Sequence, residues 1–308
     1  MAAIWIPKRL VEIGLINTAA ENAKSFISHC EIGYESRVEA AAKEVLLQKR
    51  SIVMLTGPSA SGKTTTAHKL AECIQKMGRY SCVISLDNFF KNLEDYPRLP
   101  DGTKDYENVE AIDVPLINRC LSELLESGHT RIPQFDFMTE QRMEEWLDLD
   151  LHDGVVVVEG IHALNPVLTA RLPREKIYKI YAGLREEYSH NGQRVLPTRD
   201  IRLARRMVRD CKFRGHSPEK TLSMWKNVCI GEDRFIKVFK PEADLLLDTS
   251  FSYEICCLAP SVIELARKLP ETSPHAERLY ELAGSFSLCT PIDDGMIPKD
   301  SMLQEFLG

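Results

Sequence analysis

SIVMLTGPSASGKTTTAHKL, residues 51–70, is the stretch whose reading decides the fold. A short apolar run ends at Gly57, and the residues behind it fit the spacing GxxxxGK[ST] as Gly57, Gly62, Lys63 and Thr64. Beyond the loop, Ala67, Leu70, Ala71, Ile74 and Met77 recur at helical spacing, and Gly78 closes the run. Strand, glycine-rich turn and helix in that order make a phosphate cradle. Glycines let backbone N–H groups curl around anionic oxygens, and the helix N-terminus adds a positive field. Ser59, Ala60, Ser61 and Thr65 would complete the cradle, Lys63 would reach the β- and γ-phosphates of a nucleotide, and Thr64 would ligate Mg2+.

Working outward, four more short apolar runs follow: YSCVISLD (80–87), GVVVVEG (154–160), KIYKIYAGL (176–184) and ADLLLDTS (243–250). They are β-branched or leucine-rich, lack strict alternation and are mostly separated by helical patterns. Such runs predict an α/β fold with a parallel sheet buried on both faces. From Tyr34, ESRVEAAAKEVLLQKR has the composition of a helix, and LAPSVIELARKLP reads as another after the last strand. The division expected is an N-terminal extension over 1–34, a nucleotide-binding domain over 35–270 and a surface-wrapping tail over 271–308.

The 308 residues are 44% hydrophobic and 27% charged, with a net charge of -6, which gives no global attraction to nucleic acid or to an anionic membrane. The longest apolar run, VVVV (155–158), is far too short to cross a bilayer, and MAAIWIPKRLVEIG lacks the layout of a secretory signal. Nine cysteines, without CxxC or zinc-type spacing, read as reduced thiols of a cytoplasmic protein. His162, His190, His216, Trp146 and Trp225 read as packing or surface residues.

Binding a nucleotide is not yet a reaction. No NKxD guanine motif is present. A kinase for a small molecule needs a base for the acceptor hydroxyl, a second carboxylate near the metal and cations for the migrating phosphoryl group. Asp87 ends the second apolar run, where it could take the acceptor's proton, hold metal-bound water or simply cap a turn. Glu159 emerges from four valines, a place that suits a metal ligand better than an unpartnered charge. In RDIRLARRMVRDCKFRG (199–215), Ile201, Ala204, Val208 and Cys211 share one helical face, while Arg202, Arg205, Arg206 and Arg209 cluster elsewhere and Arg214 ends the helix. Beside a phosphate-binding loop, that cluster reads as an anion clamp.

The ordered set GPSASGKTT, SLDNFFKN, DYENVEAIDVPLI, IPQFDF with Arg142 after it, VVVVEGIHAL, the arginine-rich segment and WKNVCIGEDRFI resembles the uridine kinase/phosphoribulokinase family of P-loop kinases, over about residues 50–260. FRGHSPEKTLSMW, ADLLLDTSFSYE and PIDDGMIPKDSMLQEFLG are similar to bacterial nucleoside kinases of that family whose long form carries a threonyl-tRNA-synthetase-like region ahead of the kinase. The stretch before the loop is too short for that region, so a kinase-only member is expected.

The resemblance implies a P-loop fold with a five-stranded parallel sheet, a β-hairpin near 129–148 and an arginine-rich helical lid over the acceptor site. It implies ATP as donor, Mg2+, a small-molecule acceptor and a homo-oligomer, dimer or tetramer. It implies that Lys63, Asp87, Arg205 and Arg209 are catalytic, that Thr64, Asp87 and Glu159 serve the metal, and that Arg214 clamps the nucleotide. Tyr106 and Glu107 would face the acceptor's hydroxyls, Arg202 its ribose, and Phe135, Phe137, Glu140, Arg142 and Lys220 the rest of it; by analogy the adenine would lie near Lys240–Pro241.

In uridine-cytidine kinases the hairpin reads roughly YDFxxHxR, where this chain has Phe135 and Glu140, and Lys220 stands where a glutamine helps read the base. A carboxylate only accepts and an ammonium only donates, so both base-reading positions have changed chemistry. The expected activity is therefore phosphorylation of a nucleoside 5'-hydroxyl, with a sugar, sugar phosphate or other polyol as the alternative acceptor. A nucleotide-binding regulatory protein without catalysis is the reading from another class.

Overall fold

The computed structural model describes residues 7–98, 102–136 and 139–308. Strand β1 (Arg9–Glu12) leads into helices α1 (Ile13–Ala20) and α2 (Ala23–Leu47), then β2 (Ile52–Thr56), α3 (Lys63–Lys76) and β3 (Ser81–Ser85). After a set of short turns come α4 (Val114–Ser127) and the strands β4 (His129–Asp136), β5 (Gln141–Asp150), β6 (Val155–Glu159), β7 (Ile177–Gly183), β8 (Glu186–His190) and β9 (Gln193–Leu196). The chain closes with α5 (Thr198–Phe213), α6 (Pro218–Gly231), β10 (Leu245–Asp248), α7 (Glu254–Lys268), α8 (Ala276–Phe286) and the short α9 (Gln304–Leu307).

The five apolar runs are the five strands of one sheet, in the order β10-β7-β2-β6-β3 and parallel throughout. The lack of alternation has a direct cause. In β2, Val53 and Leu55 enter one core with α2, α3, α5 and α7, while Ile52 and Met54 enter the core under α4. In β6, Val155 and Val157 divide from Val156 and Val158 in the same way. Successive side chains point to opposite faces, and here both faces are buried, so both must be apolar.

Two further sheets flank the first. β4 and β5 form the expected antiparallel hairpin, bulged between Pro133 and Phe135. β8 and β9 turn at Asn191–Gly192, both in the left-handed region, and β1 adds in parallel to β8.

No packing boundary falls at residue 34. Helix α2 begins at Ala23, and Ile13, Ile16, Ile27 and Tyr34 are buried in the same core as β2. The stretch from Glu271 does more than wrap the surface. Leu279, Leu282 and Phe286 of α8 and Met302, Leu303 and Phe306 near the C-terminus enter that core as well. Among the described residues no helix is long and apolar enough to cross a membrane.

Candidate active site

The loop between β2 and α3 needs its glycines. A Cβ on Gly57 would lie 2.3 Å from the carbonyl oxygen of Ala182, and Gly62 has φ +78° with the Met302 side chain packed directly on it. Ala60 also adopts a left-handed φ of 57°, a conformation that costs an L-residue about 1 kcal/mol. This alternation of hand curls the backbone into an anion-binding nest. The Ser61 hydroxyl, buried inside the loop, has no hydrogen-bond partner among the described residues, as fits a loop shaped to surround a ligand.

Two carboxylates converge on the loop. Glu159 is the last residue of β6, in register with Leu55 on one side and Ser85 on the other. The Ser85 hydroxyl donates to its Oε1 at 2.8 Å and Thr64 Oγ1 donates to its Oε2 at 3.3 Å. Burial raises its pKa; Lys63 pulls it down and Asp87 pushes it further up. Asp87 sits in the 3-10 turn that follows β3, its N–H capped by Ser85 Oγ. Burial raises its pKa too, against the fields of Lys63 and Arg214. Lys63, Thr64, Asp87, Glu159 and Arg214 thus share one electrostatic neighbourhood.

An aromatic cluster packs between the turn after β3 and the hairpin. The Phe90 and Phe135 rings lie 5.7 Å apart, Phe90 and Tyr96 5.8 Å, and Tyr96 meets Tyr106 edge-on at 5.4 Å. Burial raises the phenol pKa values of Tyr96 and Tyr106, and the Glu140 carboxylate adds to both rises. Tyr106 and Glu107 line a hollow of about 560 Å3 with Arg206, Met224, Gly231 and Phe235. Burial pushes the Glu107 carboxyl up to about 7, Arg206 and Lys63 acting against that rise and Glu232 with it.

Several expected positions fall elsewhere. Arg142 donates to Asp113, the N-cap of α4, at 3.3 Å and to the Phe90 carbonyl, so it fastens the hairpin to the body. Lys220 is exposed and its Nζ lies 3.1 Å from Nε2 of His216. Phe137 lies outside the described residues.

The arginine segment divides along its helix. Arg205 is fully buried on Glu254 beneath the loop, reaching the carbonyls of Thr249 and Ala60, so this guanidinium is part of the core and not of a lid. Arg202 is likewise buried: it pairs with Glu232 and donates to the Ser59 carbonyl, holding the loop from behind and not facing a ribose. A desolvated guanidinium needs a carboxylate, and both partners are spent here. Arg206, Arg209 and Arg214 instead surround buried Asp210, and Arg206 Nη1 donates to Ser59 Oγ at 2.8 Å. Of these three, Arg206 touches the loop and Arg214 acts on Asp87.

Sequence reasoning missed Asp210, Glu232, Glu254, Phe90 and Tyr96. Asp210 was the most accessible, because Arg206 and Arg214 lie four residues to either side of it, the spacing of helical ion pairs. Glu232 and Glu254 come from distant elements and carry no local signal.

Residues 52–183 match the model of the Phosphoribulokinase / Uridine kinase family. The chain is 29% identical over 238 residues to uridine kinase of Saccharomyces cerevisiae, covering 76% of this chain but only 44% of that one. It is 28% identical over 202 residues to uridine kinase of Lactobacillus helveticus, covering 65% and 87% of the two chains. Against uridine kinase of Mycoplasma genitalium it is 27% identical over 220 residues, covering 71% and 93%. A possible uridine kinase from Bacillus stearothermophilus superposes with a TM-score of 0.46 at 18% identity, over 69% of this chain and 98% of that one. The matched segment holds the loop, Asp87, Glu107 and Glu159, and over that segment the chain is similar to the Phosphoribulokinase / Uridine kinase family.

Proposed function

We propose that this protein transfers the γ-phosphoryl group of ATP to the 5'-hydroxyl of a nucleoside, with uridine and cytidine the first acceptors to test. One observation carries the reading: Asp87 feels Lys63 and Arg214 at the point where Thr64 meets Glu159, with Glu107 and an aromatic cluster alongside.

Among the described residues no group of three His, Cys, Asp or Glu could hold a metal unaided. That agrees with a hard cation carried in with phosphate oxygens. Thr64 Oγ1 and Glu159 would hold Mg2+ there, and the ion would neutralise charge on the transferring group.

The chain's own residues do the rest. The loop amides and Lys63 grip the phosphates. Asp87 takes the proton from the acceptor oxygen as that oxygen attacks phosphorus in line, and its burial raises its basicity for the task. Arg206, Arg209 and Arg214, gathered on Asp210, offset the charge that develops during transfer. Glu107 accepts from sugar hydroxyls, and the Phe90, Tyr96 and Phe135 rings receive the base.

The test is ADP release with a panel of acceptors. Uridine or cytidine should support turnover, and free ribose should not. Equal release with ribose would move the acceptor class to sugars, and no release with any acceptor would end the kinase reading.

A further inference from the structure

A second hollow, of about 410 Å3, lies behind Pro58 at the C-terminal edge of β7. Lys8, Arg185, Arg194, Arg199, Lys237 and Lys240 line it, and Arg202 closes the side toward the loop. These seven cations face the carboxylates of Glu187 and Asp233, with Glu232 behind Arg202, which leaves four positive charges in excess. Every one of the seven lies outside the segment that matches the family model. They come from the N-terminal segment, the turn between β7 and β8, strand β9, the start of α5 and the turns ahead of β10, all outside the strands of the five-stranded core.

Proteins do not collect like charges in a recess without cause, because desolvated like charges repel. Arg185 bears the cost most plainly. It is 6% exposed, and its Nη2 is buried with no hydrogen-bond partner among the described residues. Lys240 lies over the Tyr181 ring, 5.2 Å from its centroid, and burial with Arg185, Lys8 and Lys237 pushes its ammonium pKa down to about 8. The N-terminus of α5 also opens here, with Pro197 and Thr198 in the wall, and adds its positive end.

We infer that this hollow is a second anion site, one that takes a small organic di- or triphosphate and is distinct from the cradle of Gly57–Thr65. Its charge calls for phosphates; a purine ring, neutral at pH 7, would leave Arg185 and the excess cations unanswered. An enclosure of this volume holds a metabolite, not a macromolecular surface. Arg202 lies between the two sites, donating to the Ser59 carbonyl, so occupancy of one site would be felt at the other. The inference stands apart from the identity of the acceptor.

Inorganic pyrophosphate is the probe, titrated calorimetrically into the full chain. Lys63→Ala removes the cradle's cation, and this variant should retain one pyrophosphate site. Adding Arg185→Met should weaken that retained site about tenfold or more, as loss of a charged hydrogen bond implies. Lys240→Gln, at a partly exposed position, should do the same without disturbing buried packing, and guards against a misfolded Arg185 variant. The inference is overturned if Lys63→Ala binds no pyrophosphate, or if neither second substitution changes the retained affinity. It is also overturned if Arg185→Met in the otherwise unchanged chain raises only the KM for ATP, which would make the hollow the donor's own base compartment. Should Lys63→Ala leave both sites intact, the cradle reading fails while the second site still stands or falls on Arg185.

Discussion

Arg205 and Glu254 form a two-pronged ion pair under the phosphate-binding loop, Nε to Oε2 at 2.5 Å and Nη2 to Oε1 at 2.8 Å, with neither side chain reaching solvent. The same guanidinium donates to the Thr249 carbonyl and lies 5.0 Å from the Phe306 ring centroid. It therefore ties loop, β10 exit and C-terminal segment together. Arg205→Met should lower unfolding free energy by about 3–5 kcal/mol, because it strands Glu254 as a buried unpaired acid. Adding Glu254→Leu should recover much of the loss. Urea denaturation of the three variants checks this. A stable Arg205→Met protein with only reduced turnover would instead return Arg205 to the clamp.

In the proposed reaction Asp87 takes the acceptor's proton. Asp87→Asn keeps size and polarity but cannot accept the acceptor's proton, so turnover should fall about 10^2-fold or more. ATP affinity should persist, since the loop and Lys63 make the phosphate contacts. Measured kcat near the unsubstituted value would remove Asp87 from the mechanism.

How much of this was legible in advance follows from the range of each interaction. All five core strands and the cradle lie in contiguous sequence, and a strand buried on both faces announces itself as an unbroken apolar run. Asp87 and Glu159 were visible because they end such runs, where a parallel sheet presents its carboxyl edge. The arginines of α5 were visible as a cluster but not by role. Whether a guanidinium reaches substrate or pairs inward depends on Glu232 and Glu254, 30 and 49 residues away in the chain. The β1, β8 and β9 sheet was also missed. Its strands of four or five residues carry too few side chains to show a period, and two of them pair across 177 residues.

Glu107 should give the reaction a pH dependence near neutrality. With its carboxyl at about 7, a large share is protonated at pH 6 and most is ionised at pH 8. Only the ionised form accepts hydrogen bonds at both oxygens, so the acceptor KM should fall as pH rises through 7. Glu107→Gln cannot titrate, and its KM profile should be flat across that interval. An inflection that survives the substitution would assign the titration to another group.

His162 should make the fold acid-sensitive. The ring is buried, both nitrogens lack partners among the described residues, and its nearest aromatic neighbour, Phe235, lies edge-on at 6.4 Å. Burial lowers its pKa from 6.5 to about 4. A depressed folded-state pKa means the stabilising contribution is complete above 6.5 and is lost as pH falls toward 4, since the unfolded chain takes the proton first. Between pH 7.5 and pH 5 the loss amounts to about 2 kcal/mol. His162→Phe has no proton to bind, so over that interval its stability should rise by about 2 kcal/mol relative to the unsubstituted chain, whatever the offset at pH 7.5. Parallel urea midpoints for the two proteins across pH 7.5 to 5 would place the acid sensitivity in other residues.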